Sequence, residues 1–215
     1  DDPTSEKDRE ALGEYGFSPR TGKPWLYPAD LTAQNGLRII DMTHNVPSSY
    51  RSLAKDDGNR PLLKKEFEER LVKKLQELRA DVVLVDGLLV ILDAAVDETS
   101  PYHRKILNVH PGITRDGSPY QRRGACATLD ALYGARGKKV VDWNTRETVD
   151  IPVVSKTGAS LHYVDKTIDS GEVIYDVLGT DIAPDDTIFE LRWNNFHNSL
   201  FPTVEKGLLY FADEK

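Results

Sequence analysis

Between residues 61 and 85 the hydrophobic pattern changes period, and that change restricts the chain to an α/β fold. Leu63, Phe67, Leu71, Leu75 and Leu78 recur every three or four positions, which places them on one face of a helix over residues 61–79. Val82, Val83, Leu84 and Val85 then form an unbroken, largely β-branched run, as expected of a strand buried in a parallel sheet. A short strand expected over residues 37–42 completes a β-α-β unit, whose crossover makes its two strands parallel.

A second apolar strand is expected to begin at Ile106 and to end in Asn108, Val109, His110, Pro111 and Gly112. Side chains alternate along a strand, so Asn108 and His110 project together while Val109 points the other way. Pro111 stops the strand and leaves the pair at the sheet end, where open α/β sheets bind ligands. An amide beside an imidazole can serve an oxygen that becomes negative during attack on a carbonyl. In this reading Asn108 is a fixed dipole and His110 a donor or proton shuttle. The same spacing also suits a strand-end turn and a surface histidine.

Farther along, a strand over residues 160–164 leads into a polar loop bounded by Asp165 and Asp169, and Gly171 turns the chain into another strand over residues 173–177. Asp169 is the natural third member of the site, because a carboxylate near an imidazole raises its pKa and can receive a proton. Both aspartates also suit ordinary turn chemistry. A metal set of His110, His162 and Asp169 is disfavoured, since no pair at helical ligand spacing accompanies it.

Taken together and in this order, the segments resemble the formyltransferases that use 10-formyltetrahydrofolate, among them glycinamide ribonucleotide transformylase. The resemblance covers residues 60–213 and implies a Rossmann-like α/β fold with a mostly parallel sheet flanked by helices. It also implies Asn108, His110 and Asp169 as the catalytic trio. The folate would lie between a strand of Leu88, Leu89, Val90, Ile91 and Leu92 on one side and the loop from Asp165 to Asp169 on the other. Family members often carry an arginine where this chain has Val90, so a polar contact is lost there. The family also begins with a strand and a glycine-rich loop that have no counterpart here, so a first βα unit is expected in a longer protein.

The stretch between His110 and Asp169 is longer than in the shorter family members. The excess, residues 138–154, reads as an added hairpin around Asn144, Thr145, Arg146 and Glu147. Together with Ser118, Pro119, Tyr120 and Gln121 it resembles most the branch that formylates hydroxyornithine in pyoverdine siderophore biosynthesis. The acceptor would then be a small-molecule hydroxylamine, with Ser118, Tyr120, Gln121 and Arg122 as substrate contacts. Another amine (glycinamide ribonucleotide or an amino sugar) remains open as acceptor, as does hydrolysis of the formylfolate by water.

Charge narrows the partners. Against 28 Lys and Arg stand 35 Asp and Glu, with a sequence pI near 5.3, so the surface is expected to repel a nucleic acid. No apolar run is long enough to span a membrane and no signal-like segment opens the chain, so a cytoplasmic location is expected. Residues 1–34 read as an irregular polar arm and residues 35–215 as the catalytic domain. Cys126, the single cysteine, reads as a small buried hydrophobe, and residues 120–133 as a helix. Residues 187–211 read as a C-terminal helix interrupted near Pro202. His44, His103 and His197 read as surface residues.

Overall fold

A computed structural model describes residues 32–87 and 90–214. The expected arm over residues 1–34 thus lies almost wholly outside the described residues. The first long element, helix α1 (Arg60–Glu77), starts with a proline in its first turn, where a missing N–H costs nothing. Leu63, Phe67, Leu71 and Leu75 face a core cluster that includes Tyr50, Leu92, Val96, Tyr102 and Ile106. Leu78, expected on the same face, is the C-cap and is exposed.

The central sheet has the order β1-β2-β5-β6. Strand β1 (Val83–Asp86) pairs in parallel with β2 (Ile106–His110). Antiparallel to β2 runs β5 (Lys156–Tyr163), and β6 (Val173–Asp181) is antiparallel to β5. Among the described residues the sheet is therefore mixed, with one parallel pairing, and not mostly parallel as expected. The short loop around Gly171 accounts for the β5–β6 pairing, since it returns the chain beside β5 where a helical crossover would have kept it parallel.

Strand β2 is the centre of the molecule. Ile106 joins the cluster on the α1 face, whereas Leu107 and Val109 join a second cluster with Ala159, Leu161, Leu200 and Phe211 on the opposite face. The period-2 alternation holds, and it puts Asn108 and His110 on the same face as Ile106. After β2 come helix α2 (Ala127–Ala135) and a hairpin of β3 (Lys138–Asp142) and β4 (Glu147–Asp150). The chain closes with α3 (Ile188–Asn195), a π-turn (Phe196–Leu200) and α4 (Phe201–Asp213). The break expected near Pro202 is this π-turn, since Pro202 has no N–H to continue a regular ladder. Thr187 opens α3 with a reciprocal capping box to Glu190.

Three expected elements differ. Residues 37–42 form no strand. Ile39–Met42 is a 3-10 turn, favoured by the Arg38–Asp41 ion pair and by the Thr43 hydroxyl on the Ile39 carbonyl, so the β-α-β unit lacks its first strand in the described residues. Residues 90–92 are loop, not strand, because the amides of Asp93 and Ala95 turn inward onto the buried Glu68 carboxylate. The helix expected from residue 120 starts only at Ala127, since Gln121 is drawn into a bridge with Ile113. Cys126 precedes that helix and is half-buried, with burial raising its thiol pKa.

Candidate active site

The antiparallel register of β2 and β5 sets Asn108 opposite His162, and His110 opposite Ser160. Asp169, from the loop joining β5 to β6, then closes the group. The Asn108 amide donates to Asp169 Oδ1 at 3.1 Å across 61 positions of sequence. The backbone N–H of Gly124 donates to Asp169 Oδ2 at 2.8 Å, and His110 Nδ1 lies 3.3 Å from the same oxygen. Asp169 has φ +47°, a left-handed conformation that aspartate tolerates better than most residues. Gly171 lets the loop fold back, because a Cβ there would come within 1.8 Å of the Tyr163 carbonyl oxygen.

His110 is buried and both its ring nitrogens face acceptors. Nε2 lies 3.0 Å from the Arg122 carbonyl, which can only accept, so Nε2 carries the proton. Gly112 permits that approach, since its Cβ would lie 2.8 Å from the same oxygen. With Nε2 protonated, Nδ1 faces a carboxylate with a bare lone pair until one more proton arrives. Burial lowers the imidazole pKa below its ordinary value, and Asp169 raises it by less. The sequence reading that Asp169 keeps His110 charged is thus outweighed by desolvation. Burial would push the Asp169 carboxyl up, but the polar and chargeable groups around it, His110 and the Gly124 amide among them, outweigh burial and hold the carboxyl at about 2. At rest the pair thus favours the deprotonated state, and the gap between Nδ1 and Oδ2 is where a proton released during a reaction would be received.

His162 enters the sequence reading only as a metal-ligand candidate, yet it belongs to the site. Its ring is buried, Nδ1 lies 2.9 Å from the Tyr163 carbonyl, and Nε2 lies 3.2 Å from Asn108 Nδ2. At 3.6 Å from Asp169 Oδ1 it is beyond direct hydrogen-bond reach. The period-2 signal that exposes Asn108 and His110 cannot reveal it, because cross-strand register is not written in one strand. The Gly124 amide and Arg122 carbonyl carry no side-chain signal at all.

Other expected contacts fall into two groups. Leu88 and Leu89 lie outside the described residues. Val90 packs, with Val164, against the α1 cluster, Leu92 is buried within it and Ile91 is exposed. Val90 and Val164 thus bring the 90–92 segment and the start of the Asp165 loop to one cluster. Lys166 joins them further by pairing with Asp97, whose carboxyl this hydrogen bond holds at about 2. Asp165 itself accepts from Thr167 as an Asx turn. Ser118 and Gln121 bond within their own loop, to Tyr120 N and to Asp116. Tyr120 is half-buried. The Arg122 guanidinium lies under α2, within 2.8 Å of where a Gly134 Cβ would sit. The hairpin packs on α2, with Trp143 edge-on to Tyr133. His44, His103 and His197 are exposed.

A cavity of about 660 Å³ adjoins the trio's loop without containing the trio, and Arg60, Lys64, Asp93, Asp97 and Lys166 are among its lining. Lys64 is paired with Asp93 and the buried Glu68.

Known proteins resemble this chain. The structure superposes on PvdF of pyoverdin biosynthesis, described as an N10-formyltetrahydrofolate-dependent formyltransferase, with TM-score 0.80 and 54% identity over 97% of this chain and 76% of that one. A phosphoribosylglycinamide formyltransferase from Streptococcus pneumoniae is 30% identical over 68% of each chain, with TM-score 0.47. The enzyme of the same name from Anaplasma phagocytophilum shares the fold at TM-score 0.51, with 20% identity over 74% of this chain and 72% of that one. Residues 45–204 match the formyl transferase family, to which this chain belongs.

Proposed function

We propose that this chain transfers the formyl group of N10-formyltetrahydrofolate to the N5-hydroxylamine of hydroxyornithine, with Asn108, His110 and Asp169 as the reacting trio. The observation that carries the chemistry is the convergence of Asn108 and His110 on one Asp169 carboxylate. The donor is supported by the likeness to PvdF. The acceptor is supported by the likeness to PvdF of pyoverdin biosynthesis, and a hydroxylamine suits the site because it is already neutral at pH 7 and needs only a path for a proton once it has attacked.

In this reading the hydroxylamine nitrogen bonds to the formyl carbon and the carbonyl pair moves to oxygen. The nucleophile's proton passes to the Asp169–His110 pair, filling the bare Nδ1 position. The resulting imidazolium stands beside the oxyanion and returns the proton to N10 as the bond from carbon to N10 breaks. The pterin would lie against Val90 and the loop from Asp165 to Asp169, whereas Leu92, expected to touch it, is buried in the core.

The test is an acceptor panel at fixed N10-formyltetrahydrofolate, containing hydroxyornithine, ornithine, glycinamide ribonucleotide, an amino sugar and no amine. Release of tetrahydrofolate dependent on hydroxyornithine, with a product that forms a coloured ferric hydroxamate, supports the proposal. Equal release without amine would make the protein a hydrolase.

A further inference from the structure

Asn108 can be oriented from its neighbours' chemistry alone. The Tyr163 carbonyl opposite His162 Nδ1 only accepts, so Nδ1 carries a proton and, in the ring's neutral form, Nε2 presents a lone pair. That lone pair lies 3.2 Å from Asn108 Nδ2. The second neighbour of Nδ2, Asp169 Oδ1 at 3.1 Å, is also an acceptor. Turning the amide over would set its carbonyl oxygen against two acceptors at once, which costs two buried hydrogen bonds. Both N–H groups of Asn108 are therefore committed. Oδ1 accepts no hydrogen bond among the described residues, and it is not one of their buried unpartnered atoms, so it reaches solvent.

We propose that His162 is a positioning residue whose Nε2 lone pair locks the Asn108 amide with Oδ1 outward, making Asn108 a hydrogen-bond acceptor for the nucleophile. This replaces the sequence expectation that its amide donates to the oxyanion, and it rests on the formyl-transfer reading above. An N–H of the hydroxylamine held by Oδ1 leaves the nitrogen lone pair free to attack. As the new bond from nitrogen to carbon forms, that nitrogen gains positive charge and its N–H becomes a stronger donor. The contact therefore tightens in the transition state and raises the rate more than it raises ground-state binding. That N–H is the hydroxylamine nitrogen's only one, so the contact is given up once the new bond has formed and the proton passes to the adjacent Asp169–His110 pair, ending on N10 of the departing folate with no further reactant needed.

Two measurements test this. Nitrogen NMR of the histidine-labelled wild type should show His162 with Nδ1 protonated and Nε2 bare at neutral pH. A protonated Nε2 overturns the proposal whether or not any variant folds. In parallel, H162F fills the ring's volume without an acceptor, and should lower kcat with hydroxyornithine about tenfold, the worth of one hydrogen bond, at unchanged KM for the formylfolate. H162Q can offer an amide oxygen to Asn108 and should recover most of that loss. If H162Q falls as far as H162F, or if only the folate KM moves, His162 merely shapes the core and the proposal fails. Absence of hydroxyornithine-dependent transfer in the wild type would instead overturn the functional reading, leaving the tautomer result standing.

Discussion

Replacing Asp169 by asparagine keeps the side-chain shape and removes the charge that holds the site together. The backbone should accept the change, because asparagine is at ease at the φ of +47° found there. The hydrogen bonds should not. With its oxygen on the Gly124 amide, the new side chain would point an amino group at the Asn108 amino group, and the reverse orientation would set that amino group against the Gly124 N–H. One buried donor loses its partner either way. The electrostatic share follows from the carboxyl being held at about 2 in place of 3.8. At about 1.4 kcal/mol per pH unit this stabilises the ionised native state by about 2.5 kcal/mol. Because the folded carboxyl titrates below its unfolded counterpart, that stability is fully present above about pH 4 and is lost as pH falls toward 2. The wild type should therefore exceed D169N in urea by about 2 to 3 kcal/mol at pH 7, and the difference should shrink across that acidic window. Turnover should fall about 10² to 10³-fold. The acid limb of kcat/KM should also move to lower pH, since His110 loses the carboxylate that raises its pKa and keeps the burial that lowers it. Superimposed profiles at equal rates would make Asp169 a turn residue and leave the site a pair.

Three further outcomes are expected. N108A should lower turnover about tenfold or more with the formylfolate Kd retained, as read by steady-state kinetics beside fluorescence titration. V90E should weaken formylfolate binding at least about tenfold, because a carboxylate would be driven into the cluster where Val90 packs, and unchanged affinity in a folded variant would move the cofactor elsewhere. E68A strands the amides of Asp93 and Ala95. It should cost about 3 kcal/mol in chemical denaturation and loosen the cavity loop; a loss within about 0.5 kcal/mol, the level of an ordinary surface change, would refute that account of the loop.

The parts of the fold legible in the sequence are those whose signal is local and periodic. Leu63, Phe67, Leu71 and Leu75 are spaced as a helix and pack as one, and the hairpin around Asn144 forms as its turn residues and flanking strands require. Asn108 and His110 share a face for the same reason. Illegible parts depend on partners distant in the chain. Residues 90–92 have strand-like composition, but a glutamate 25 positions before Asp93 captures the amides that follow. The antiparallel pairing of β5 with β2 joins strands far apart in the chain, and no local pattern marks it. The pKa balance at His110 turns on burial, which no spacing rule conveys. His162 enters the site only through strand register.

The most direct measurement of the central claim follows the formyl carbon itself. With N10-formyltetrahydrofolate labelled with carbon-13 in the formyl group, the label should appear on the hydroxylamine nitrogen of hydroxyornithine, one per tetrahydrofolate released. The same experiment with D169N should show transfer slowed about 10² to 10³-fold. Label recovered as free formate at the full rate of tetrahydrofolate release, with or without hydroxyornithine, would contradict the account.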